Sequence, residues 1–197
     1  MLFRSGGVKR VLGTNPFAWS VPGPGSFNYV LDFSTAVVAA GKIILAGMSG
    51  EAIEPGALLD KEGNPSTNAA DLADGGSLLA FGGHKGSGLS VLIDVAAGIL
   101  SGNMPAAISN SGFGNGTVFM AMDLSRFTAL EVFTSIATQF QSIMHGAGEA
   151  GSVLLPGEFE HLTRCTRDVD GISISSGVSE NIYETAEKYG VSLSGLL

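Results

Sequence analysis

Apolar residues at Phe127, Leu130, Phe133, Ile136 or Ala137, Phe140 and Ile143 recur every three or four positions. That period gathers them on one stripe and predicts an amphipathic helix from about Arg126 to Met144. Leu89 to Leu100 is apolar nearly all round, broken mainly by Ser90, Asp94 and Gly98, and predicts a buried helix. Three runs rich in β-branched and aromatic residues, Phe27 to Phe33, Lys42 to Ala46 and Thr117 to Met122, predict strands. Ser34 suits the N-cap of a short helix through Ala39 that Gly41 ends, and Ser179 and Gly190 bracket a last helix, Glu180 to Tyr189. Gly50 to Gly76 is polar and turn-rich, which predicts a surface excursion and not a domain linker. With 29 glycines and no repeat, the chain reads as a mixed α/β protein of short elements joined by tight turns.

Composition narrows the function. A chain of 197 residues with 45% hydrophobic and 14% charged residues can bury a core as one domain, or one and a fraction. A net charge of −8 and an isoelectric point near 4.7 argue against a nucleic-acid surface, which needs a basic face to displace counterions. The single cysteine, Cys165, excludes an intrachain disulfide and a Cys-based zinc site, and no metal is expected. No segment reaches the roughly 18 uninterrupted apolar residues of a membrane span. The run Met1 to Gly7 is too short for a signal peptide, so the expectation is a soluble, cytoplasmic protein with no membrane partner. Asn115-Gly116-Thr117 fits the glycosylation sequon, a chance match in that setting.

Three glycine patterns could hold a cofactor. Gly146-Ala147-Gly148-Glu149-Ala150-Gly151 satisfies G-x-G-x-x-G, with Asp168 or Asp170 about 20 residues on for a ribose. A dinucleotide fingerprint follows a strand and opens a helix, whereas this one follows a helical pattern. Gly112-Phe113-Gly114-Asn115-Gly116 misplaces its third glycine and is better read as a turn. Phe81-Gly82-Gly83-His84-Lys85-Gly86-Ser87-Gly88 runs directly into the apolar stretch that follows. Glycines allow backbone N–H groups close to a ligand, a helix N-terminus attracts anions, and Lys85 adds a full charge. It is no standard P-loop, because Gly86 stands where Ser or Thr would follow the lysine. Two readings stay open on the residues alone: a phosphate cradle, or glycines that permit close packing with Lys85 in solvent.

Several motifs occur in one order: Leu12-Gly13-Thr14-Asn15-Pro16; Val30 to Ala36 with Gly41-Lys42; Phe81 to Gly86; and Leu155-Pro156-Gly157-Glu158. From Gly6 onward the chain resembles the malate/L-lactate dehydrogenase family, which includes ureidoglycolate and sulfolactate dehydrogenases and a reductase of piperideine-2-carboxylate. The resemblance implies a mixed, non-Rossmann, sulfolactate dehydrogenase-like fold, incomplete at the N-terminus. It further implies an oxidoreductase that uses NAD or NADP on a small 2-hydroxy or 2-oxo acid, and usually a homodimer. Carried over by position, Asp32, Phe33 and Ser34 match a cofactor-contacting segment, His84 and Lys85 the cofactor dipeptide, and Pro156, Gly157 and Glu158 a second cofactor-facing loop. Thr14, Ala40 and Gly41 match substrate contacts. The plainer alternatives are an N-cap for Ser34, a buried histidine for His84 and a solvated charge for Glu158. His145 and His161 match nothing catalytic and read as surface or packing residues. Asp32 would favour NAD if it meets the ribose 2′-hydroxyl.

Oxidising a 2-hydroxy acid needs a base for the hydroxyl proton and, as a rule, an arginine for the carboxylate. In the family those roles fall to a Ser-His-Gly segment and a nearby arginine ahead of the Leu-Gly-Thr-Asn-Pro motif. Neither Arg4 nor Arg10 matches that clamp, and the catalytic residues are expected outside this chain. Lys42 stands where imine-reducing members carry an acid, which disfavours that activity. The expectation is therefore that residues 1–197 are the cofactor-binding, C-terminal part of a longer enzyme, with apolar surface left uncovered that promotes association. The alternative is a non-catalytic cofactor-binding or subunit-interaction module.

Overall fold

Short strands dominate the first third of the chain in the computed structural model, which describes residues 2–3, 6–7, 9–25, 27–108, 115–174 and 176–193. Strands β1 (Leu2–Phe3) and β2 (Arg10–Leu12) pair antiparallel. Strands β3 (Phe17–Pro22) and β4 (Asn28–Phe33) form a hairpin with Phe17 opposite Phe33 and Pro22 opposite Asn28. The expected strand to Phe33 is thus present, and its partner β3 is an addition that the sequence did not announce. After helix α1 (Ala40–Ser49) come β5 (Leu58–Leu59), β6 (Pro65–Ser66) and β7 (Ser77–Leu78). The larger sheet has the order β2-β1-β7-β5-β6, in which β1 and β7 run parallel. Its core joins Leu12, Ala36, Ile43, Leu58, Ala69 and Leu78.

Lys42 to Ala46 lies within α1 and is not a strand. A short apolar run fits either period, and packing arbitrates. Ala40, Ile43 and Ala46 share one helical face toward the core, with Ile43 almost wholly buried. That burial contributes about 1.5–3 kcal/mol, and a strand would have turned Ile43 and the exposed Leu45 the same way. Gly50, at φ 71°, closes the helix by donating to Ala46 O. Gly41 therefore sits inside a helix start, and the helix expected from Ser34 to Ala39 is replaced by an extended strip, where Ala36 bridges to Ala80. Gly50 to Gly76 is also corrected: it supplies β5, buried Ala57, and Ala69 of the core. Two-residue strands contain too few apolar positions to leave a pattern.

Helix α2 (His84–Ile93) starts earlier than expected and continues as a π-helical segment, Asp94–Ile99. It is not buried on every side. Gly86, Ser87, Ser90, Ala97 and Gly98 are buried, whereas Leu92, Val95, Ile99 and Leu100 are exposed. Small residues permit the closest approach of backbones, so the inner face is the less hydrophobic one. Thr117 to Met122 forms no strand; its residues adopt no regular secondary structure and are exposed, with Phe119 at 91%. The turn expected at Gly112 to Gly116 has its first three residues outside the described ones, as does Arg4.

Helix α3 (Leu130–His145) realises the amphipathic pattern, shortened at its start. Helix α4 (Glu158–Asp170) was not expected, and α5 (Ser176–Tyr189) begins four residues before the predicted Glu180. The chain divides into two compact units, residues 1–144 and 145–197. None of these helices is long and apolar enough to cross a membrane.

Candidate functional site

Within the first unit, hydrogen bonds draw three of the predicted motifs together. The strip after β4 runs beside the strip after β7: Val37 N–H donates to Leu79 O at 2.9 Å and Phe81 N–H to Thr35 O at 3.1 Å. The Phe33 and Phe81 rings meet edge to face with centroids 5.3 Å apart, and Phe17 lies 5.9 Å from Phe33. Thr35 donates twice to Thr14 O, from its N–H at 2.9 Å and from Oγ1 at 3.0 Å. Thr14, Asp32 to Ser34 and the loop before α2 therefore share one neighbourhood. Ser34 Oγ accepts from Ala36 N–H at 3.1 Å, a local turn in place of the expected helix cap. Ala40 packs toward the core beside it in the chain, and Gly41 is exposed.

The glycine loop behaves differently from a bare amide cradle. Gly82 and Gly83 adopt φ of 54° and 59°, a region that favours glycine. The loop closes on itself, however: Gly83 N–H donates to Ala80 O, Lys85 to Gly82 O, Gly86 to Phe81 O and Ser87 to Gly83 O. Those amides are occupied. What faces outward is the side-chain pair His84 and Lys85, both exposed on the first turn of α2, where the helix dipole reinforces a cation toward an anion. His84 is not the buried histidine of the plainer alternative. Close packing is real too, since Gly86 is buried against Phe81.

Asp32 is exposed at the end of β4 and Ser34 half-buried just beyond it. A carboxylate and a hydroxyl that can accept from sugar hydroxyls stand on one side, and a cation at a helix N-terminus on the other. This chemistry fits a group with phosphate and ribose parts. Arg10 is no carboxylate clamp, because its guanidinium donates to Leu72 O and Gly76 O. Among the described residues no three His, Cys, Asp or Glu side chains converge as a metal site.

The second unit holds Pro156, Gly157 and Glu158 around the start of α4. Gly157 has φ 92° and precedes the helix, and Glu158 begins it. His145 Nε2 donates to the Glu158 carboxylate, 2.9 Å from each oxygen, and Leu155 N–H donates to Oε2 at 2.7 Å. At 12% side-chain exposure Glu158 is no solvated charge. Within the second unit it ties His145 to the loop Leu155 to Gly157. Sequence reasoning left His145 as a surface or packing residue, and because α4 was not expected there was no helix start to place Glu158 beside it. Glu158→Ala should leave the buried Leu155 amide unpaired and cost about 1–3 kcal/mol. Urea denaturation checks it, and an unchanged midpoint would show the pairing to be incidental. His161 is exposed on α4, as expected of a surface residue.

The family model for malate/L-lactate dehydrogenase matches residues 1–183. A malate/(S)-sulfolactate dehydrogenase of Methanothermus fervidus is 34% identical over 195 residues, 96% of this chain and 56% of the relative. A Delta(1)-pyrroline-2-carboxylate reductase of Ancylobacter novellus is 35% identical over 182 residues, 88% of this chain and 52% of the relative. Among solved structures, malate dehydrogenase of Pyrococcus horikoshii superposes with a TM-score of 0.79 at 32% identity, over 97% of this chain and 55% of that one. Sulfolactate dehydrogenase of Methanocaldococcus jannaschii superposes at 0.78 and 27% identity, over 98% and 57%. The chain spans about half the length of these relatives. The mixed helix and sheet architecture is that of these dehydrogenases, not a Rossmann fold, and the misplaced G-x-G-x-x-G at Gly146 to Gly151 lies in a loop after α3. With the ordered motifs, the family match over most of its length and these superpositions in agreement, the chain belongs to the malate/L-lactate dehydrogenase family.

Proposed function

We propose that residues 1–197 form the cofactor-binding, C-terminal part of an NAD- or NADP-dependent oxidoreductase acting on a small 2-hydroxy or 2-oxo acid. The observation that carries it is the juxtaposition of His84 and Lys85, at the N-terminus of α2, with Asp32 to Ser34 through the Phe33–Phe81 contact. Lys85 and His84 hold phosphate or ribose oxygens, and Asp32 and Ser34 accept from ribose hydroxyls. Thr14, with Ala40 and Gly41, borders the acid, and the Pro156 to Glu158 loop contributes a second cofactor-facing surface. When bound, the nicotinamide ring supplies or accepts the hydride. By resemblance to the family, the proton would pass through a base in a Ser-His-Gly segment outside these residues; none of the three histidines here lies in such a segment.

Relatives include both hydroxy-acid dehydrogenases and a pyrroline-carboxylate reductase. Exposed Lys42, where an acid would serve imine reduction, supports the first group. Leu92, Val95, Ile99 and Leu100, exposed along one helical stretch, support coverage by further protein; we propose that a second copy of the enzyme supplies it and that the enzyme works in the cytoplasm. Titration calorimetry with NADH and NADPH, on this chain and on a version extended upstream, should detect binding of at least one. Malate, lactate and ureidoglycolate should then be oxidised by the extended protein with that cofactor. No binding in either version would overturn the proposal, and binding without turnover would leave a non-catalytic module.

A further inference from the structure

Asn15 is the only non-glycine residue with a clearly positive φ, 34°, among the described residues. The conformation is doubly unfavourable there, because Pro16 follows and pushes its predecessor toward extended backbone. Strain of this kind persists only where surrounding contacts hold it. Those contacts are on α2: Asn15 Nδ2 donates to Ser90 O at 2.9 Å and to Ser90 Oγ at 3.0 Å, and Ser90 is fully buried. Ser90 O also receives the Asp94 N–H, at the point where the helix changes to π spacing. A π segment inside an α-helix is characteristic of functional positions. The Asn15 amide folds back over Gly13, where a Cβ would lie 2.3 Å from Asn15 Oδ1. Burial pushes the Asp94 carboxyl up, and a hydrogen bond with Asn15 draws it partly back.

We propose that Asn15 is a positioning residue: its side-chain amide locks the Gly13–Pro16 turn, and with it Thr14, onto the helix that begins at His84 and Lys85. This inference rests on the proposed oxidoreductase function. Thr14 O is itself fixed by the two Thr35 donors, so the peptide between Thr14 and Asn15 is held from both ends. The lock sets the register between the substrate-side turn and the cofactor-side helix without touching either ligand. Misplacing reacting groups by about 1 Å costs on the order of 100-fold in rate.

Two variants separate the side chain from the backbone. Asn15→Gly accepts a positive φ but has no amide; Asn15→Asp keeps shape and backbone preference but presents an acceptor to Ser90 O. In the upstream-extended protein both should lower kcat for oxo-acid reduction about 100-fold, while the Kd for the reduced nicotinamide dinucleotide stays within threefold of wild type. A merely structural role would weaken cofactor binding along with turnover. A kcat within twofold of wild type for Asn15→Gly would overturn the lock. Hydrogen exchange on the 197-residue chain gives an arm independent of catalysis. Loss of protection at the Thr35 amide by tenfold or more in both variants supports the lock, and unchanged protection overturns it. A wild-type protein that reduces no oxo acid would sink the proposed function, and exchange would still decide for or against the lock.

Discussion

Lys85→Ala should weaken binding of the nicotinamide dinucleotide about 10-fold or more. A hydrogen bond to a charged group contributes about 1.5–3 kcal/mol, and each 1.4 kcal/mol is tenfold in affinity. Lys85 is exposed, so solvent screening places the effect at the lower end of the corresponding range. The contact is ionic, so the wild-type affinity should fall with added salt and the variant's should fall less. Lys85→Arg should recover most of the binding. An unchanged dissociation constant for Lys85→Ala by calorimetry would return the Gly82 to Gly88 loop to a packing role alone.

Gly86→Ala is expected to damage both stability and binding. A Cβ there would sit 2.2 Å from Phe81 O and 3.0 Å from Phe81 Cδ1. The first contact is backbone, fixed by the Phe81 N–H bond to Thr35 O, and cannot yield as a flexible side chain would. Either α2 or the Phe81 strip must shift, at about 1–3 kcal/mol. A protein of this size loses roughly 2–4 °C in Tm per kcal/mol, which calorimetry resolves. The same shift separates His84 and Lys85 from Asp32 to Ser34, so cofactor affinity should fall in parallel. Gly88→Ala is the control. It lies two residues further along the same helix, nothing stands within 4 Å of its Cβ site, and alanine there should stabilise by about 0.5–1 kcal/mol. A Gly86→Ala protein as stable as Gly88→Ala would refute the close approach.

Parts of the fold were legible because their period is long or their chemistry local. The α3 stripe repeats over enough turns to exclude a strand, and β4 carries Tyr29, Val30 and Phe33 in a run bounded by turn residues. Lys42 to Ala46 reads as a strand although its four apolar residues satisfy both periods; packing with Ala69 and Leu72 decided for the helix. The buried face of α2 was hidden for a different reason. Hydropathy ranks Leu92 and Ile99 above Ser87 and Ser90, whereas close backbone packing selects size, so the polar small residues went inside. Of the candidate site, the residue types were visible in the motifs. The internal use of the loop amides was not, because hydrogen-bond partners such as Ala80 O and Phe81 O depend on dihedral angles that glycine leaves open. Glu158 illustrates the same limit: its charge was plain, and its pairing with His145 followed from how two helix ends meet.

The sequence by itself determined the family, the order of its motifs and the residue types of the candidate site, a histidine and lysine in one motif and an aspartate and serine in another. These are properties of residue identity and spacing, which a linear chain carries directly. Only the tertiary structure decided which face of α2 is inside, that the Gly50 to Gly76 stretch contributes two strands to the larger sheet, and that Asn15 is strained against Ser90. Those outcomes are settled by contacts between residues far apart along the chain, between Asn15 and Ser90 or Leu58 and Leu78, whose energies no local window contains.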